Sequence, residues 1–359
     1  MIWRQGQRGG DGSTNIQANS IQYGISYSDA KEIAMDVFKD NFAKLSTKAH
    51  EVAFQRADEF TSNYLSELHQ RRPESIENLQ DPGVQADLLE AQSGFAKSGD
   101  QDLGEILVDI LVDRTAELER NLVSLTLGAA LSTAQKLTSS QFSALSAMMV
   151  FQQMRVMGIS HPKQVYMNIS SCLAPMQNQI MSLSQSDVRY LAALGCLTIS
   201  MGSTSIHQAL QRMYPGLFSI GIEMPIESPG LSGSAENGPE SVVYAFKDTP
   251  AITRDIRDPT KFRVAATDTE SLHSLLERSG LTEHRELFER TMKARPLSGD
   301  VIVEEIEAFD RRIGDVMNSY NTNQLTNCSN TAVGIAIGHA NIRRVTGGTF
   351  DAPLSVWLD

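Results

Sequence analysis

Three carboxylates, Glu105, Asp109 and Asp113, recur every four residues, the spacing that lines acids along one side of a helix. Facing helices that added further ligands could close such a row around a divalent cation. No Glu-x-x-His pair accompanies it, so the expectation is the solvated face of an amphipathic helix. A second run, Glu304, Glu305, Glu307 and Asp310, falls in the first turns of a predicted helix, where the dipole favours negative charge. The seven histidines show no His-x-x-x-His spacing and no Cys-x-x-Cys companion, so none is assigned as a metal ligand. His339 draws the most interest, because it lies in the apolar, glycine-marked stretch Gly334-Ile-Ala-Ile-Gly-His339-Ala-Asn341. Close packing through Gly334 and Gly338 accounts for those glycines without catalysis.

Other chemistries lack their signatures. Gly230-Leu-Ser-Gly-Ser-Ala has no Gly-Lys-Ser/Thr after it, and Gly347-Gly348 reads as a helix stop, not a phosphate loop. No serine sits in a Gly-x-Ser-x-Gly elbow. Cys172, Cys196 and Cys328 are odd in number, widely spaced and set in apolar surroundings. They are expected to be buried free thiols. No catalytic, cofactor-binding or metal residue is therefore assigned, and no cofactor is expected.

Basic residues give the one hint of nucleic acid. Arg254, Arg257, Lys261 and Arg263 cluster in the C-terminal third, and Arg343 and Arg344 follow later. Interleaved Asp255, Asp258 and Asp310 leave little net field there. Binding of nucleic acid through this part is kept as an alternative. A dispersed catalytic site is a third reading, since convergence in space is invisible in one sequence.

The elements that must position these groups read mainly as helices. Of 359 residues, 41% are hydrophobic and 21% charged, the balance of a globular protein with ample core. A formal net charge of −12 excludes a protein that coats nucleic acid or anionic membrane broadly. No secretory leader or membrane-length apolar run is recognised, so a cytoplasmic location is expected.

Ser28 is a plausible N-cap for an apolar stripe from Ile33 to Leu68, which Arg72-Pro73 stops. Read as one helix, it would be a rod on the order of 60 Å long. Helices follow over 84–97, along Leu103 to Leu125, from Thr138, from Ser184 and from Ser205 to Tyr214-Pro215. Residues 225–241 are rich in Pro, Gly and Ser and read as a linker. Beyond it, 242–246 and 262–266 are predicted strands, 269–279, 282–293 and 299–319 helices, and 354–358 a final strand. The run 333–337 fits strand or helix. The expected architecture is an antiparallel helical array (25–224), the linker, and a small α+β module (242–359).

Residues 1–24 form a polar, strand-like tag. Thr14, Ile16 and Ala18 alternate with Asn15, Gln17 and Asn19, a period of two. Only Ile16 is sizeably apolar, so pairing between copies through Asn15, Ile16, Gln17 and Asn19 is the proposed use. Together with GISYSDAKEIAMDVFKDNF (24–42), AKSGDQDLGEILVDILVDRT (96–115), YPGLFSIG (214–221) and TAVGIAIGHANIRRVTG (331–347), the stretch GDGSTNIQANSI (10–21) resembles an uncharacterised bacterial family. The tag and first helix also resemble N-terminal segments of proteins associated with antiphage defence and mobile elements. That resemblance implies a cytoplasmic defence-related or accessory protein and brings no catalytic residues. The leading expectation is a non-enzymatic scaffold that forms a homo-oligomer and meets a protein partner or phage-derived trigger.

Overall fold

Lys31 Nζ lies 3.0 Å from Asp58 Oδ1, two residues that one continuous helix would hold about 40 Å apart. The predicted rod is therefore two helices packed side by side, α1 (Tyr27–Asn41) and α2 (Thr47–Arg71). The computed structural model describes residues 26–41, 47–226 and 238–358. The tag, with Asn15, Ile16, Gln17 and Asn19, lies outside the described residues, as does the Gly230–Ala235 stretch. The cap of α1 is Ser26, not Ser28. Asp29 N–H donates to Ser26 Oγ, and Ser26 N–H donates to the Asp29 carboxylate, the reciprocal pattern of a capping box.

The array continues through α3 (Pro82–Ser98), α4 (Gln101–Ala116), α5 (Leu122–Ala134), α6 (Ser139–Gln152), α7 (Pro162–Leu173), α8 (Gln177–Met181), α9 (Gln185–Ala193), β1 (Leu197–Ile199) and α10 (Ile206–Met213). Thr138, Ser184 and Ser205 cap their helices as their spacing predicted. The apolar run from Leu103 to Leu125 is broken after Ala116, and Asn121 caps α5 by accepting from Ser124 N–H.

A second, smaller core then forms around Val242, Val243, Ile252, Val264, Leu276 and Phe288. It is built from α11 (Pro239–Phe246), the antiparallel pair β2 (Ile252–Arg254) and β3 (Phe262–Val264), α12 (Thr269–Ser279) and α13 (Arg285–Lys293). The predicted strand at 242–246 is α11. Pro239 in its first turn has φ preset for a helix, and a five-residue apolar run does not carry its own period.

The chain then returns to the first core through α14 (Gly299–Phe309), α15 (Arg311–Thr322), β4 (Cys328–Asn330) and α16 (Ala332–Val345). The predicted helix 299–319 is interrupted at Asp310, which is extended and caps α15. β4 pairs antiparallel with β1, Thr198 opposite Ser329. Residues 297–358 thus complete the helical array, and the small core is an insertion between Phe218 and Leu297. Its two ends lie side by side: Leu297 N–H donates to Phe218 O, and Ile220 N–H to Arg295 O, each at 2.8 Å.

The run 333–337 belongs to α16, which packs on α4, α5 and α6. Gly338 permits the approach to α6, where an added methyl would sit 2.9 Å from Leu145 O, and Gly334 permits close passage of the chain before β1, where it would sit 2.0 Å from Cys196 O. The predicted terminal strand is a 3-10 turn, Leu354–Trp357, whose Leu354 is buried. Mainly α, with small antiparallel strand pairs, is the fold class. Among the described residues no helix is long and apolar enough to cross a membrane.

Candidate functional site

Asp109 and Asp113 do not sit on a solvated face. Their side chains are 13% and 14% exposed, against 61% for Glu105 one turn earlier. The reason lies in α4, whose Ile106, Leu107, Ile110 and Leu111 are buried on one side while α2 and α16 cover another. The last turns of both covering helices carry arginines, where a cation complements the dipole.

Those arginines meet the acids. Arg71 Nη1 lies 2.6 Å from Asp109 Oδ1 and Nη2 lies 3.0 Å from Asp113 Oδ1. Arg343 Nε approaches the same Asp109 oxygen at 3.3 Å. Arg344 Nη1 reaches Asp102 at 2.7 Å, and its Nε donates to Asn341 Oδ1 at 3.0 Å. Burial pushes the Asp109 carboxyl up to about 6; the Asp113 charge adds to this, and Arg71 and Arg343 oppose it.

His339 joins the cluster from α16. Its ligand nitrogen and one oxygen each of Asp109 and Asp113 lie within 4.8 Å of one another. Nε2 is 2.8 Å from Ala352 O; a carbonyl only accepts, so Nε2 carries the proton. The ring packs against Phe350 and Trp357. Burial holds its pKa below the usual histidine range, outweighing the Ala352 carbonyl and the Asp113 charge. Two carboxylates and a histidine are a reasonable divalent-cation donor set. Here the two carboxylates already balance two guanidiniums, and an added ion would share Asp109 with both. The geometry makes the cluster a neutralised clamp joining α2, α4 and α16.

Above the clamp opens a cleft of 960 Å³. One wall is the α2 face of Asn63, Ser66, Glu67 and Gln70; the other is Gln101, Gly104, Glu105 and Val108 of α4. Arg343, Arg344, Gly347, Gly348 and Asp351 close the end. Gly347 and Gly348 both have positive φ, 58° and 76°, so glycine suits this turn into the final segment.

The structure separates the six basic residues read from the sequence. Arg254 stacks on the Phe262 ring, and Lys261 pairs with Asp258 at 3.5 Å. Arg257 forms a two-pronged pair with Glu305, at 2.7 and 2.8 Å, and donates to Leu217 O. Arg263 is turned inward, donating to the Val264 and Ala266 carbonyls. Arg343 and Arg344 belong to the clamp in the other core. A nucleic-acid backbone would have to compete with these partners.

Glu305 and Asp310 of the second acidic run are likewise engaged, Asp310 with Arg312 and Ser170. Leu118, Leu122 and Leu125, read as one apolar stripe, are left 53%, 61% and 49% exposed at the corner between α4 and α5.

A protein-family model matches residues 24–358. The chain belongs to that uncharacterised family. The matched span takes in both cores, the clamp and the cleft, and leaves out residues 1–23 of the tag. No curated protein and no solved structure matches the chain.

Arg71 is the site residue that sequence reasoning missed. The available signal was a basic side chain in the last helical turn before Pro73; the acids it meets lie 38 and 42 residues further on.

Proposed function

We propose that this protein is a non-enzymatic interaction protein: a mostly helical scaffold that self-associates in the cytoplasm. The observation that carries this reading is the leucine corner. Three large aliphatic side chains within eight residues stand between 49% and 61% exposed, a grouping that marks a contact surface more often than scattered single residues do. The carboxylates and guanidiniums of the clamp fit the reading, because Asp109 and Asp113 are each paired with an arginine. The tag supplies a second candidate contact through strand pairing. A setting in bacterial antiphage defence, with a phage-derived trigger, rests on the resemblance of residues 10–42 alone. The nucleic-acid alternative gains no support from the engaged arginines.

Light scattering on three proteins tests this: the full chain, a chain starting at Ser26, and the full chain with Leu122→Glu and Leu125→Glu. The full chain should be oligomeric, and the double substitution should lower its mass. A monomer at every concentration would sink self-association. An unchanged mass in the leucine variant would remove the corner from the contact, and an unchanged mass in the shortened chain would remove the tag.

A further inference from the structure

Three arginines line the cleft, yet they do not make it an anion site. Arg71 is matched by Asp109 and Asp113, Arg343 by Asp109, and Arg344 by Asp102. What remains unmatched is negative. Among the described residues, Glu67 and Asp351 make no ion pair. Glu105 has only a 3.9 Å contact with the already paired Arg344. These three carboxylates lie on α2, α4 and the segment after α16, so they face the cleft from three sides.

We infer that this cleft binds a small organic polycation, an aliphatic polyamine, with Glu67, Glu105 and Asp351 as its counter-charges. Three features favour that class. The volume falls within the roughly 300–1,000 Å³ of small-molecule sites, and a single metal ion would leave most of it empty. The acids are dispersed over three elements, which suits a ligand whose charges are separated along a chain. Beneath the polar walls the floor is apolar, formed by the nearly buried Phe60, Phe95 and Val108, and the amide oxygens of Asn63 and Gln70 can accept from ammonium groups. The inference does not depend on self-association.

Calorimetric titration of the full chain with spermidine tests it at two salt concentrations. A strongly acidic protein attracts any polyamine over its surface, so two variants are compared. One carries Glu67→Gln, Glu105→Gln and Asp351→Asn. The control carries Glu277→Gln, Glu283→Gln and Glu286→Gln, exposed acids of the inserted core, and changes net charge equally. Saturable binding that weakens about tenfold in the cleft variant and little in the control is the expected result. Equal weakening in both, or binding that never saturates, overturns the inference. So does a preference for inorganic phosphate, or binding of a lysine-rich peptide without binding of spermidine. Should the cleft variant melt early, the single exposed Asp351→Asn carries the test, with an expected loss of about threefold; an unchanged affinity there overturns it equally.

Discussion

One guanidinium, that of Arg71, bridges Asp109 and Asp113, two carboxylates a helical turn apart on α4, with contacts of 2.6 and 3.0 Å. All three side chains are less than a fifth exposed, which sets this contact apart from a surface salt bridge.

Removing one partner from such a pair leaves a buried charge uncompensated. Arg71→Met should cost about 3–5 kcal/mol of stability, read from urea denaturation. A loss below about 1 kcal/mol would mean that the carboxylates are hydrated like exposed ones.

The pH dependence follows from Asp109. Its folded pKa, about 6, lies above the value near 4 expected in the unfolded chain. The folded state therefore binds this proton more tightly. The resulting stabilisation is full below about pH 4 and is lost as pH rises through about 6. Asp109→Asn abolishes this titration. Wild-type stability minus variant stability should fall between about pH 4 and 7, and a difference that rises over that window would refute the assignment.

Arg257 ties the inserted core to the array through Glu305, and Tyr166 donates to the same carboxylate at 2.6 Å. Arg257→Gln should weaken that attachment by about 1.5–3 kcal/mol. Amide exchange should then quicken across 238–292 while α4 and α16 keep their protection. Uniform acceleration throughout would show the two cores to be one cooperative unit.

Gly334→Ala would drive a methyl onto the Cys196 carbonyl, which belongs to backbone and cannot swing aside. A loss of about 1–3 kcal/mol is expected, with the denaturation midpoint as the readout. Alanine at Gly158, which has open space around its Cβ position but a φ of 71°, should cost about 1–2 kcal/mol through backbone strain alone.

The three thiols are buried, and burial raises the pKa of each, Cys172 and Cys196 to about 11. They should react with an aromatic disulfide reagent only as the protein unfolds. Rapid native-state labelling of even one would contradict their placement.

Much of the helical layout was legible because its signals are local. Thr138, Ser184 and Ser205 announce their helices within four residues, and Pro73 stops α2 two residues after its last member, Arg71. The clamp was not legible, because its members are far apart in sequence. Glu105, Asp109 and Asp113 share one spacing, but only Glu105 faces water. Which of the three is covered depends on α2 and α16, and no period within α4 carries that information. His339 stood out for its glycine-marked, apolar setting; what it meets there did not. The Leu103–Leu125 stripe misled for the related reason that apolar periodicity ran on past the true end of α4. Val242 and Val243 misled because both neighbours are buried, a pattern that helix and strand share.

The order of synthesis gives the insertion a further consequence. A ribosome completes α4, α5 and α6 well before it makes α16, the helix they pack around. Until then the nascent array holds an open, greasy groove and two aspartates that share the single Arg71 guanidinium, while the inserted core has all its own parts and can close first. Late long-range closure of this kind slows folding and prolongs exposure of sticky surface. Incomplete chains that stop short of Thr331 would thus be natural clients of chaperones.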